Sequence, residues 1–199
     1  TVTLADSPHV DDPKVPRGKP YAFEGVAWTP DGNALWIPHQ TYAGDVPLLG
    51  SFDSLVFPAV SVVDVVARRE VTNEGAGKKR FPGRKELFGG IDVRSGTGDA
   101  QVVSGPCAAV IHPNGQRAYV LACASDDLLV FDVASGSATE ILKVPGDHAT
   151  GLAIDRAGSR AYVVSDQSKT LSVVDLAGGS PIAHPSFVPV RADGSTTLA

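Results

Sequence analysis

The feature that most constrains this chain is that it matches itself. Residues 151–179, GLAIDRAGSRAYVVSDQSKTLSVVDLAGG, repeat the pattern of residues 108–136, AAVIHPNGQRAYVLACASDDLLVFDVASG. Gly115 is answered by Gly158, Tyr119 by Tyr162 and Asp132 by Asp175, each 43 residues further on. Upstream, residues 25–40, GVAWTPDGNALWIPHQ, place Pro30, Gly32 and Trp36 where Pro113, Gly115 and Tyr119 stand 83 residues later. The doubled distance has a local cause. Trp36 to Asp64 is 15 residues longer than Tyr119 to Asp132, and 25 more lie between Asp64 and the next unit. A chain of equal units folds by stacking them, because no unit alone can cover its apolar side.

Each unit reads as four strands. RAYVLACAS is rich in β-formers, has no helical spacing and follows Pro113-Asn114-Gly115, whose Asn-Gly pair is expected to supply the positive φ angles of a hairpin turn. Leu128 to Val133 gives a third strand closed by Ala134-Ser135-Gly136, and Ala138 to Val144 a fourth closed by Pro145-Gly146. A period near 43 with four strands is the spacing of propeller blades. The fold class is therefore all-β, a β-propeller segment of about three four-stranded antiparallel blades. The division is 1–24 as an N-terminal segment and candidate outer strand of a preceding blade, and 25–107 as a blade with insertions near 41–57 and 75–103. Blades at 108–150 and 151–189 and a tail at 190–199 follow. Three blades cannot close a ring of four to eight, so the ring is incomplete, with the remaining blades coming from the same or another chain.

RAYVLACASDDLLVFDVASG and RAYVVSDQSKTLSVVDLAGG resemble the YVTN-type bacterial β-propeller repeat in the turn Gly, the R-x-Y-V strand and the V-x-D strand with its small-residue turn. The resemblance covers roughly Gly25 to Pro189 and implies a fold, since the family includes surface proteins, binding modules and domains attached to redox enzymes. On this reading the Tyr, Val and Asp pattern is scaffold. LWIPHQ through VFPAVSVVDV is also similar to propeller regions beside di-haem cytochrome c peroxidase-like modules. That similarity implies haem chemistry elsewhere in a parent protein, because this chain has no C-x-x-C-H to attach a haem.

Composition narrows the partners. A net charge of −5 over 199 residues argues against nonspecific nucleic-acid binding, and no apolar run is long enough for a membrane span. There is no Met and no apolar targeting segment at residues 1–20, as expected of a trimmed exported chain and equally of a piece of a longer one. Cys107 opens the first strand of its unit and Cys123 ends the second. In a hairpin centred on the intervening turn, position 107 lies opposite 122 or 123, within disulfide reach; two small buried hydrophobes are the alternative. A bridge would favour a periplasmic or extracellular, bacterial location.

In a propeller blade the loop before strand one and the loop after strand two share a face. The residues nearest that face are His39, Gln40, Cys123 and Asp166, which end second strands, and Glu24, Asp147 and His148, which precede first strands. His39 and His148 are candidate ligands of a metal or haem iron; Glu24, Asp147 and Asp166 are candidate hydrogen-bond acceptors or cation ligands; polar surface is the plain alternative. His112 lies toward the opposite face as a structural residue, and His9 and His184 lie in terminal segments. The insertion TYAGDVPLLGSFDSLVF carries Leu48, Leu49, Phe52, Leu55 and Phe57, large apolar residues that must fold back or meet another surface, and so forms a candidate partner-contact loop. The basic run from Gly77 to Phe88, with Phe81 and Phe88, reads as a solvated loop or a grip for an acidic partner.

No nucleophile elbow, zinc-protease motif, phosphate loop or EF-hand spacing is present, so no catalytic or metal-binding residue is assigned. The leading expectation is a non-catalytic binding or scaffolding segment of an exported bacterial protein that contacts a protein partner through loops on one face. The alternatives are the propeller portion of a periplasmic redox enzyme, with haem or a divalent metal held in the parent assembly rather than in this chain, and a propeller lactonase or lyase.

Overall fold

The computed structural model describes residues 1–6, 18–44, 56–71, 84–86, 103–136, 138–176 and 186–188, and every regular element among them is a strand. The first sheet contains β1 (Lys19–Tyr21), β2 (Ala27–Trp28), β3 (Ala34–Tyr42), β4 (Val56–Asp64), β5 (Arg69–Glu70) and β6 (Arg84–Glu86). The second is a meander of β7 (Pro106–Ile111), β8 (Arg117–Ala122), β9 (Asp127–Asp132) and β10 (Ala138–Lys143). The third repeats it with β11 (Ala149–Ile154), β12 (Arg160–Ser165), β13 (Thr170–Asp175) and β14 (Ser186–Val188). All pairings are antiparallel. The chain is thus a β-propeller segment, with three sheets in chain order.

The first sheet departs from the other two where its sequence is longer. β3 and β4 are nine residues each and pair without a slip from Ala34↔Asp64 to Tyr42↔Val56, whereas their counterparts have six. The first insertion therefore begins as a prolonged hairpin. Within the segment read as an outer strand of a preceding blade, Lys19–Tyr21 instead pairs with the far end of β3, Tyr21 opposite Gln40, while β2 pairs with its near end, Ala27 opposite Trp36. The prolonged end of β3 offers free backbone donors and acceptors, and β1 takes them. The outer edge of the sheet is also in two pieces: β5 lies on Val63 and Asp64, β6 on Ala59 to Ser61. Arg84–Glu86, read as part of a solvated basic loop, is strand; the rest of that loop, Phe81 and Phe88 included, lies outside the described residues.

Side chains alternate between the two faces of each strand, and β8 and β9 are buried almost continuously because both of their faces are covered. Trp36, Val60 and Val62 on one face of the first sheet meet Ala118, Val120, Leu129 and Phe131 of the second, with the Trp36 and Phe131 rings 5.7 Å apart, edge to face. The opposite face of the second sheet, Tyr119, Leu121, Leu128 and Val130, meets Ala161, Val163 and Val174 of the third. The core is therefore two layers between three sheets, with each fully buried Leu contributing about 2 kcal/mol.

The hairpin turns differ from the sequence reading in one detail. Gly32, Gly115 and Gly158 have φ of 72°, 74° and 73°, but Asn114 is not left-handed. A tight turn closes from Gly115 N to His112 O, and a further bond joins His112 N to Arg117 O. This is a longer hairpin loop needing one left-handed residue instead of two. Asn114 contributes its side chain, accepting from Gln116 N at 3.0 Å. Gly158 is confined twice over, since a Cβ there would come within 2.4 Å of His112 Nε2.

Candidate functional site

The face that carries the starts of β7 and β11 and the ends of β8 and β12 is built the same way in each unit. Ala22, Gly105 and His148 are equivalent by the repeat, and all three are left-handed, with φ of 53°, 61° and 59°. After each of the last two the register slips, between Pro106 and Ala108 and between Ala149 and Gly151. The bulges are pinned by equivalent bonds. Cys123 N donates to Gly105 O at 2.8 Å and Asp166 N to His148 O at 3.1 Å. Ser104 N donates to Ser125 Oγ and Asp147 N to Ser168 Oγ, at 3.0 and 3.1 Å.

On this frame Gln40, Cys123 and Asp166 occupy one repeated position, and each ties the end of its second strand back to the beginning of its unit. Tyr21 Oη donates to Gln40 Oε1 at 2.9 Å. Cys107 and Cys123 form a disulfide with Cα atoms 5.8 Å apart; Cys107 sits in the bulge instead of directly opposite a partner. His148 Nδ1 lies 2.7 Å from Asp166 Oδ1 in an exposed pair. Four of the sequence candidates, Gln40, Cys123, His148 and Asp166, thus hold this face together.

The others are scattered. Glu24 and Asp147 are exposed. His39 is not at a loop: because β3 continues to Tyr42, it is buried within the strand, its Nδ1 3.1 Å from Ile37 O and its ring stacked on Phe23 at 5.4 Å. His112 is buried near the opposite turns, where Nε2 meets Gly158 O at 2.9 Å and Nδ1 accepts from Asn114 N, so it joins the second sheet to the third. Phe57 is buried in β4, while Leu48, Leu49, Phe52 and Leu55 lie outside the described residues. Among the described residues no three of His, Cys, Asp and Glu gather as metal ligands would, and no helix is long and apolar enough to cross a membrane.

What the sequence reading missed is aromatic. Tyr21, Phe23 and Tyr42 lie at this end of the first sheet with between 38% and 52% of their surface exposed, Tyr21 and Tyr42 on the side of Gln40 and Phe23 against His39 of the other side. The Tyr21 and Tyr42 rings meet edge to face at 6.0 Å. Partial burial, and then the neighbouring Tyr42, hold the Tyr21 hydroxyl above the ordinary tyrosine range, so it stays a neutral donor. The available signal was YAFEG immediately before the first strand of a unit. Such rings combine apolar area with a polar tip and lose little conformational freedom on binding.

No protein-family profile matches the chain, and no curated protein matches it in sequence. Solved structures match it in fold. Hydrazine synthase from Kuenenia stuttgartiensis aligns with a TM-score of 0.61 at 14% identity over 80% of this chain and 47% of its own. A functionally unknown protein from Desulfotomaculum acetoxidans DSM 771 gives 0.53 at 12% over 90% and 48%. The WD40 repeats of RRP9 give 0.52 at 16% over 87% and 41%. The chain spans less than half the length of each of these.

Proposed function

We propose that this chain is a non-catalytic binding or scaffolding segment of a β-propeller, of the YVTN-type repeat, and that it takes a protein partner on its aromatic face. The observation that carries the reading is the exposure of Tyr21, Phe23 and Tyr42 together on a face whose polar candidates are mostly occupied in holding loops. Polar ties fix the loop backbone, and the rings stand on it as anchors of fixed geometry. The Cys107–Cys123 bridge supports placing the protein in the periplasm or outside a bacterial cell, where such a bond persists. The blades that continue the ring come from the same or another polypeptide, and any haem or divalent cation belongs to that larger assembly.

The test is photo-cross-linking in producing cells from position 23, with position 135, on a turn of the opposite face, as control. A discrete protein adduct from position 23, absent from position 135 and lost in the Tyr21→Ser/Tyr42→Ser background, is expected. Equal labelling from both positions would remove the aromatic face from consideration.

A further inference from the structure

The prolonged part of the first sheet carries more than exposed rings. Tyr21 pairs with Gln40 and Lys19 with Tyr42 across β1 and β3, so these four side chains share one side of the sheet. Gln40 and Tyr42 correspond in the repeat to Cys123 and Ser125, which lie past the end of β8. The four residues thus form a ledge with no counterpart in the second sheet.

The ledge is held rigidly. The Tyr42 ring meets Tyr21 edge to face and lies so close to Gly44 that a Cβ there would come within 2.5 Å of it. Gly18, with φ of 100°, packs on the Tyr42 carbonyl and leaves no room for a Cβ. Two glycines therefore fix a tyrosine that remains 45% exposed. Rings already fixed lose little freedom when a partner covers them.

The polar atoms of the ledge suit a partner that accepts hydrogen bonds. Gln40 Oε1 is taken by Tyr21 Oη, which leaves the Nε2 hydrogens, without a partner among the described residues, as what the amide can offer. Lys19, exposed opposite Tyr42, adds further donors and a positive charge. An added β-strand is not the form this edge accepts. Among the described residues β1 pairs with β3 alone, and Pro20 at its centre has no N–H to give to a strand laid on the free side.

We propose that the ledge of Lys19, Tyr21, Gln40 and Tyr42 binds a proline-rich segment of the protein partner, in the polyproline II conformation and with an acidic residue beside the prolines. Such a segment brings pyrrolidine rings to pack on tyrosine faces, carbonyls that make no bonds within it, and few N–H groups that need an acceptor. It is stiff before binding, as the ledge is, so neither side loses much freedom on association. The acidic residue answers Lys19. The proposal rests on the reading of this face as a protein-binding one and adds the partner's chemistry to it.

Calorimetric titration of the 199-residue chain with blocked peptides tests it. The probe is six prolines between two aspartates; the controls are six alanines between two aspartates and six prolines between two lysines. The probe is expected to bind at least about tenfold more tightly than either control. Gln40→Met, which removes the amide donors, should weaken it about fivefold or more with unchanged far-UV circular dichroism, and Gln40→Leu replaces that variant if it unfolds. Lys19→Glu should reverse the preference, making the lysine-flanked prolines the tighter ligand. No binding of the probe at millimolar concentration, or equal binding of the alanine peptide, overturns the proposal. If position 23 still yields its protein adduct in cells, the protein-binding reading stands without it; if the adduct is absent as well, both fall.

Discussion

Replacing Cys107 and Cys123 by Ala removes a bridge between residues separated by 16 positions. In the chain-entropy treatment, closing a loop of that size in the unfolded chain is worth about 3 kcal/mol at 25 °C. For a chain of this length that loss lowers the unfolding midpoint by roughly 6–12 °C. The native contacts around the bridge stay in place, because the bulge it spans is also held by Cys123 N on Gly105 O and Ser104 N on Ser125 Oγ. The loss should therefore appear in stability and leave the circular dichroism of the folded state unchanged. Urea unfolding of the oxidised protein, the reduced protein and the double variant, at one chain concentration, measures it. The second and third should agree within error. A cysteine pair placed at Thr150 and Asp166, the equivalent positions in the third sheet, should recover part of the difference in the double-alanine background. A loss below about 1 kcal/mol would refute the reasoning, since it would mean that the hairpin already persists in the unfolded chain.

Gly158→Ala combines a left-handed backbone with a collision against His112, so a loss above about 1 kcal/mol is expected, and His112→Ala/Gly158→Ala should cost less than the sum of its parts in a thermodynamic cycle. Trp36→Ala removes a buried ring packed on Phe131 and should cost roughly 3–5 kcal/mol by urea unfolding. The Asp155 carboxyl is held below its ordinary value first by the Ser159 hydroxyl, which donates to Oδ2 at 2.6 Å, and then by backbone N–H groups. A depressed carboxyl contributes stability above its unfolded value and loses it as pH falls through the folded one. Asp155→Asn should thus be less stable than wild type at neutral pH and converge with it in acid, as read from unfolding midpoints between pH 7 and pH 2.

The period, the four strands of each unit and the turn glycines were legible because local backbone demands set them. Gly32, Gly115 and Gly158 are left-handed in every unit, and Asp64 and Asp132 each accept a bond from the backbone N–H three residues on. The site was less legible because its geometry depends on lengths and slips that composition does not report. His39 was counted from the turn as a strand end, but Thr41 and Phe57 continue the pairing and carry His39 into the interior. The bulge that shifts Cys107 off direct opposition turns on Gly105, an ordinary glycine in the sequence. Ala22 takes the same conformation without any residue signal, and His148 with a weak one, since histidine but not alanine is enriched there among non-glycine residues. Tyr21 and Phe23 passed as part of a terminal segment because their significance arises only when β1 is laid against β3.

The repeated tie at Gln40, Cys123 and Asp166 means that three copies of one joint answer to three different solutions. A reductant breaks the second sheet's covalent tie and leaves the backbone bonds beneath it, and the other two ties, in place. The exposed His148–Asp166 contact is non-covalent and open to solvent, so a reductant leaves it untouched. The neutral Tyr21–Gln40 bond is indifferent to it as well. The three ties thus respond separately to the medium, while the backbone bonds beneath the second and third keep the rim in place.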